Sequence, residues 1–381
     1  MLGLHPAPDR QPWFIRAGSG AALQKASGRQ RMNRPLDGML VIEFESLGPG
    51  PLAGRMLADM GAMVQVIVRP GAGTVTEKLG GLGESPLRRG KQLVALDLKQ
   101  PENRIEALAL VAQADALIEG NRPGVMERLG LGPADCAQRN PRLVYGRMTG
   151  WGQHGPLAQA AGHDLNYVAL TGLLSLSAHR GERPIVPPTV LGDAAGALGL
   201  AFGIVCAVLD ARHSGRGCVV DGAIVDVVAM LGTLAQWVRA NGQLDGAEPS
   251  PFHDSPFYDV YACADSGFVT IGALEPQFYA QFLKTLGITD VDPAGQYDKA
   301  SWPALKERLR ALFASRPRAH WCELLEGTDA CCAPVLNTAE AAVHPHMVAR
   351  GVYAVGADGA AQPHPAPRFL PLTPPTDEGS L

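Results

Sequence analysis

The chain has 381 residues, of which 46% are hydrophobic and 18% charged, and it carries a formal net charge of −4. A chain this long and this apolar can fill more than one domain core, which excludes a mainly disordered polymer. The charge balance excludes a global basic field of the kind that holds nucleic acid or an anionic membrane, so any anionic ligand must be met by a local cluster.

Residues 1–34 carry six Arg or Lys against one Asp and show no sustained apolar period. A transit peptide has that bias. The reading adopted is an N-terminal extension, with the ordered pattern starting at Pro35. Met39–Phe44, "MLVIEF", predicts a strand, and Pro51–Met60 a helix opened by proline. Met63–Val68 and Leu93–Leu98 predict strands, Arg104–Gln113 a helix, and Ala116–Glu119 and Leu143–Arg147 further strands. Strands alternating with helices argue for a parallel sheet covered on both faces. This α/β domain is placed at residues 35–222.

Helical patterns follow at Leu165–Leu174, Ala194–Leu209 and Ile224–Arg239. Ala194–Leu209 is the closest approach to a membrane span and reads as a buried core helix. Residues 223–256 form a helical linker and crossing segment, rich in Gly, Pro, Asp and Ser near its end. Phe257–Cys263 and Phe268–Ile271 predict a hairpin turned by "ADSG", and helices from Gln277 and Trp302 complete a smaller α+β unit at 257–335. The proline-rich tail, 336–381, is expected to pack back on the first domain as coil. The seven cysteines are odd in number, scattered and free of any C-x-x-C pair, as expected of free thiols in a reducing cytoplasm.

Gly48–Ala53, "GPGPLA", matches the dinucleotide-binding spacing G-x-G-x-x-[GA]. That motif works by aiming backbone N–H groups at a pyrophosphate, and Pro49 and Pro51 remove two of them. A tight turn opening a helix is the better reading. Arg69, Arg88, Arg89 and Lys91 fall near strand ends, with Arg122 in "GNRPGV" after another. Ligands of open parallel sheets bind at those ends, where clustered cations suit phosphates.

Three ionisable groups sit at predicted helix starts. His163 precedes the helix beginning near Asp164, Asp193 opens the next, and Glu275 precedes the helix from Pro276. A helix start disfavours the imidazolium, leaving His163 able to accept a proton, with Asp164 beside it reading as a plain N-cap; Asp193 by itself reads better as an N-cap, and Glu275 reads also as a first-turn acid favoured by the dipole. Together they fit proton abstraction beside a carbonyl. A capping carboxylate has a lowered pKa, so Asp193 can return a proton only if burial or substrate raises it. No G-x-S-x-G elbow is present, and His344 and His346 have no third metal ligand in view.

The segments Pro35–Ala62, Gly120–Pro133, Arg147–Tyr167 ("RMTGWGQHGPLAQAAGHDLNY"), Leu191–Gly196 ("LGDAAG"), Ser255–Tyr279 and Gly327–Val335 resemble the family of class III CoA-transferases and α-methylacyl-CoA racemases, the racemases most closely. "GHDLNY" with "GALEPQFY" resembles racemases specifically; the aspartate of "LGD" is shared with the transferases. The resemblance implies a large Rossmann-like CoA-binding domain, a smaller α+β domain and an interlocked homodimer. It implies that His163 is the base on one face of the α-carbon, oriented by Glu275 of the other subunit, and that Asp193 acts on the opposite face. It further implies that Arg69, Arg89, Lys91 and Arg122 hold the CoA phosphates. The expected activity is inversion of 2-methyl-branched acyl-CoA thioesters through an enolate, with no redox or metal cofactor. The alternatives are a CoA-transferase with Asp193 as nucleophile, in which His163 is dispensable, and an acyl-CoA-binding protein without catalysis. Phe252, His253 and Asp254 stand where the resemblance has small glycines, and are expected to reshape the acyl pocket.

Overall fold

The computed structural model describes residues 34–71, 85–179, 181–244, 246–356, 360–370 and 372. The expected extension at 1–34 thus lies outside the described residues, except for Arg34. In chain order the first body comprises β1 (Leu40–Phe44), α1 (Pro49–Asp59), β2 (Met63–Val68), β3 (Gln92–Ala95), α2 (Pro101–Val111), β4 (Ala116–Glu119), α3 (Val125–Arg128), α4 (Pro133–Arg139) and β5 (Val144–Thr149). It continues through α5 (Asp164–Leu170), α6 (Ala195–Ser214) and β6 (Val219–Ala223). Helices α7 (Ile224–Leu231) and α8 (Thr233–Ala240) lead to β7 (Tyr258–Ala262), β8 (Phe268–Gly272), α9 (Pro276–Thr285), α10 (Trp302–Phe313), α11 (Arg318–Leu325) and β9 (Cys332–Val335).

Six strands form one parallel sheet in the order β3-β2-β1-β4-β5-β6. The strands are apolar on both faces because both are covered, and successive side chains part to opposite cores. Val41, Val64, Ala116, Ile118 and Val144 pack under α1 and α6. Ile42, Phe44, Leu117 and Tyr145 pack on the other face with Ala107 and Val111 of α2, Met126 of α3 and Cys136 of α4. The order reverses between β1 and β4, so a crevice opens beyond their carboxyl ends.

A second sheet is antiparallel, β7-β8-β9, with a core of Phe257, Tyr261, Tyr279, Phe282, Trp302 and Phe313. Expected and observed elements agree in type up to the tail. The sixth strand is an addition: "VVDGA" carries Asp221 and Gly222 in a short run, so its pattern is weak, yet it pairs with β5 throughout. The helical pattern over Ile224–Arg239 is divided at Gly232, where a Cβ would fall 2.6 Å from Leu173. The tail is not coil throughout. It contains α12 (Thr338–Val343), α13 (Pro345–Ala349) and the hairpin β10 (Tyr353–Val355) to β11 (Ala361–Pro363).

Helix α6 corrects another expectation. Ala197, Leu200, Ala201, Ile204 and Val208 are buried against the sheet, but Leu198, Phe202 and Leu209 face outward, with Phe202 69% exposed. Val190–Ser214 is long and apolar enough by composition to span a bilayer, although one face of it is core. Met230, Leu231, Leu234 and Trp237 of α7 and α8 are exposed as well.

Candidate active site

The crevice at the sheet's reversal holds a cavity of about 310 Å³. Its walls come from the turn after β1 (Leu47, Gly48, Pro49), the loop after β4 (Gly120–Pro123), the end of β5 (Met148–Trp151), and from Gly162, His163, Tyr167 and Asp193. Three sheet strands therefore aim their carboxyl ends at the space that both candidate proton carriers line.

The stretch "GHDLNY" is built as one unit. His163 is the extended residue before α5, and its N–H donates to Asn166 Oδ1 at 3.1 Å, which fixes the backbone under the imidazole. Tyr167 donates its hydroxyl to the Gly162 carbonyl and sets its ring edge-on to Trp151. That ring lies where a Cβ on Gly150 would sit, at 2.0 Å, so glycine is required there by space alone.

Asp164 does not act as the N-cap. It is the first residue of α5, 7% exposed, and its carboxylate reaches back across the fold. Oδ2 accepts the N–H of Gly192 at 2.8 Å and that of Asp193 at 2.7 Å. Asp193 itself lies in a π-helical turn, Val190–Ala194, closed by the Ala194 N–H on the Thr189 carbonyl. Such wide turns recur at functional sites. The Asp193 carboxylate is half-buried, and burial first, then the charge of Asp164, raise its pKa above the usual aspartate range while His163 opposes the rise. The shift runs in the direction that a returnable proton requires. Gly48, in the turn that opens α1, approaches this carboxylate across the cavity.

The cations are dispersed. Arg122 lines the cavity, on a loop held by Glu119, whose Oε2 accepts the Asn121 N–H at 2.7 Å. Arg69 is exposed just after β2. Arg88 pairs with Glu45, and Arg89 donates to Gln362 Oε1 at 3.1 Å and to the Pro363 carbonyl at 3.2 Å. Lys91 departs from its expected role: its Nζ is buried beneath α1, 2.6 Å from Glu43 Oε2 and 2.8 Å from the Pro51 carbonyl. A buried ammonium committed to a carboxylate is not free to meet a phosphate. Burial also pushes the Glu43 carboxyl up to about 7, against the pull of Lys91.

Glu275 is exposed at the start of α9 and is not among the residues lining the His163–Asp193 cavity. Nor are Phe252, His253 and Asp254. The Asp254 carboxylate accepts the Ser250 N–H at 2.7 Å, His253 Nε2 lies 3.0 Å from the Leu176 carbonyl, and Lys306 donates to the His253 carbonyl at 3.2 Å. Phe252 and His253 line a separate cavity of about 490 Å³ together with Leu176 and Cys331. Among the described residues no group of three His, Cys, Asp or Glu could hold a metal ion.

Of the groups singled out in the sequence, the fold brings His163, Asp193 and Arg122 together. The sequence reading missed the reach of Asp164. No local signal marks it, because its partners lie 28 and 29 residues away.

Comparison with known proteins places this geometry in context. The model of CoA-transferase family III matches residues 36–378. Mouse alpha-methylacyl-CoA racemase is 40% identical over 349 residues, covering 89% of this chain and 87% of the relative. The human protein of that name is 39% identical over 345 residues, covering 88% and 86%. The crystal structure of Rv3272 from Mycobacterium tuberculosis aligns with a TM-score of 0.74 at 28% identity, covering 89% of this chain and 94% of that one.

Proposed function

The chain belongs to CoA-transferase family III, and from that membership we propose that it inverts the α-carbon of 2-methyl-branched acyl-CoA thioesters by 1,1-proton transfer. The observation that carries the reading is the placement of His163 and Asp193 on one cavity at the sheet's reversal point. A transferase needs the carboxylate alone; two proton carriers suit a racemase.

In this reading one group removes the α-proton and the other delivers a proton to the opposite face. Burial and the Asp164 charge favour the protonated form of Asp193, the direction an acid that returns a proton needs, and His163 is the complementary base. Charge on the thioester oxygen is assigned to backbone N–H groups at the start of α5, of which those of Asn166 and Tyr167 are already taken by the His163 carbonyl. Arg122 at the cavity wall meets a CoA phosphate, and Arg69 extends the basic path.

The proposed working form is a homodimer with shared active sites. Supporting it are the exposed apolar residues of α6, α7 and α8, among them Leu198, Phe202, Met230, Leu234 and Trp237. Glu275 then joins His163 of a second copy, which accounts for its distance from the cavity within one chain.

The test is NMR of one enantiomer of a 2-methylacyl-CoA with the protein in D₂O. Deuterium at the α-carbon with loss of optical purity is expected, and His163→Ala should lower that exchange by about 10²–10⁴-fold. If His163→Ala retains full activity, or if CoA instead passes to an added free acid without exchange, the transferase reading replaces this one.

A further inference from the structure

We propose that Asp164 is a positioning residue, tying the turn that bears Asp193 to the turn that bears His163 so that the two groups keep a fixed separation across the reacting carbon. The inference rests on the reading of His163 and Asp193 as the proton carriers. Asp164 is the immediate neighbour of one and holds the main chain of the other, so a single buried side chain connects both walls of the cavity.

Four observations converge. The two N–H bonds to Oδ2, at 2.8 and 2.7 Å, are charge-assisted and about twice as strong as neutral ones. The contact is exclusive in shape: a Cβ on Gly192 would lie 2.7 Å from Oδ2 and 2.8 Å from Cγ of Asp164. The turn it secures is strained at its entry, where Thr189, a β-branched residue, has φ 62°. Such a conformation persists only when its surroundings hold it. Finally, Asp164 Oδ1 is also buried and has no hydrogen-bond partner among the described residues, so the carboxylate's protein hydrogen bonds all go to the turn that bears Asp193.

A consequence follows for proton affinity. The charged or titratable groups that act on Asp193 are Asp164 and His163, and Tyr167 in turn feels Asp193. The Asp164 charge raises the pKa of Asp193 and His163 lowers it. Removing that charge while keeping the clamp should move Asp193 down.

Two variants separate the contributions. Asp164→Ala removes the clamp. Asp164→Asn keeps an oxygen able to accept both N–H groups but carries no charge. Deuterium exchange is read as kcat and KM over pH, for the enantiomer whose proton Asp193 removes. Asp164→Ala should lose kcat by about 10²-fold with KM for the thioester changed less than about threefold. Asp164→Asn should recover most of that loss and shift the acidic limb to lower pH. An unshifted limb in Asp164→Asn, or unchanged kcat in a folded Asp164→Ala, overturns the inference, and so does parallel loss in both variants that tracks only a lowered Tm. Asp193→Asn is the control for the underlying reading: if it still exchanges the α-proton of that same enantiomer, that reading fails, whatever Asp164 does.

Discussion

A Cβ built on Gly48 would lie 3.3 Å from Oδ2 of Asp193, so the glycine that opens α1 also bounds the acid across the cavity. Gly48 has φ 72° and ψ −114°, a backbone region closed to other residues. Gly48→Ala should therefore cost about 1–3 kcal/mol of stability. It should also press on the Asp193 carboxylate and lower exchange at least about tenfold, equivalent to roughly 1.4 kcal/mol at the transition state. Thermal unfolding and deuterium exchange on one preparation measure both effects. Full exchange in a folded variant would show that the Asp193 wall yields.

The Glu43–Lys91 pair makes a second prediction. Lys91→Met leaves Glu43 buried without its cation, which should cost about 3–5 kcal/mol at pH 8. Glu43 can then escape by taking up a proton. Its native pKa is already raised to about 7, so the folded state binds that proton more tightly than the unfolded chain. The penalty is accordingly absent below the ordinary carboxylate range and grows as pH rises, and the variant should lie closer to wild type at pH 5 than at pH 8. Glu43→Gln combined with Lys91→Met should restore part of the loss. If Lys91→Met instead leaves Tm unchanged and raises KM for the thioester, the lysine belongs to the phosphates after all.

Asp193 carries the opposite bookkeeping to a salt-bridged acid. Its native pKa is raised, so the native state holds the proton more tightly and stability falls as pH rises from the ordinary aspartate range through the raised value. Asp193→Asn should raise Tm at pH 7 and leave it nearly unchanged near pH 3, while abolishing inversion of the α-carbon, a trade of activity for stability. A Tm lowered equally at both pH values would contradict the sign.

The shared-site proposal for Glu275 can be tested by complementation. A mixed dimer of His163→Ala and Glu275→Ala chains has one site with both changes and one with neither, if each site draws on two chains. Co-expression should then restore about a quarter of wild-type exchange in a statistical mixture. Sites complete within one chain would give no recovery beyond the two parents.

Much of the first body is legible from sequence because parallel strands buried on both faces announce themselves as apolar runs: β2 and β4 fall where "MVQVIV" and "ALIE" place them. The strand β6 and the second half of the Ile224–Arg239 pattern are less legible, since Asp221 weakens one and a tertiary contact of Gly232 with Leu173 interrupts the other. His163 and Arg122 stand out by local signals of a helix start and a strand end, whereas Asp193 reads locally as a plain cap and gains its role only through the family resemblance. What local signals cannot supply is which groups meet. Lys91 and Arg122 look alike as cations after strands, and only burial beside Glu43 separates a structural ion pair from a ligand contact. Asp164 looks like a helix cap, and only the folded chain brings the Gly192 and Asp193 N–H groups to its carboxylate. Residue types and periodicity thus determine the elements and the chemistry available, because both depend on near neighbours in the chain. The partners of each charge depend on the packing of distant segments, and that was decided by the tertiary structure alone.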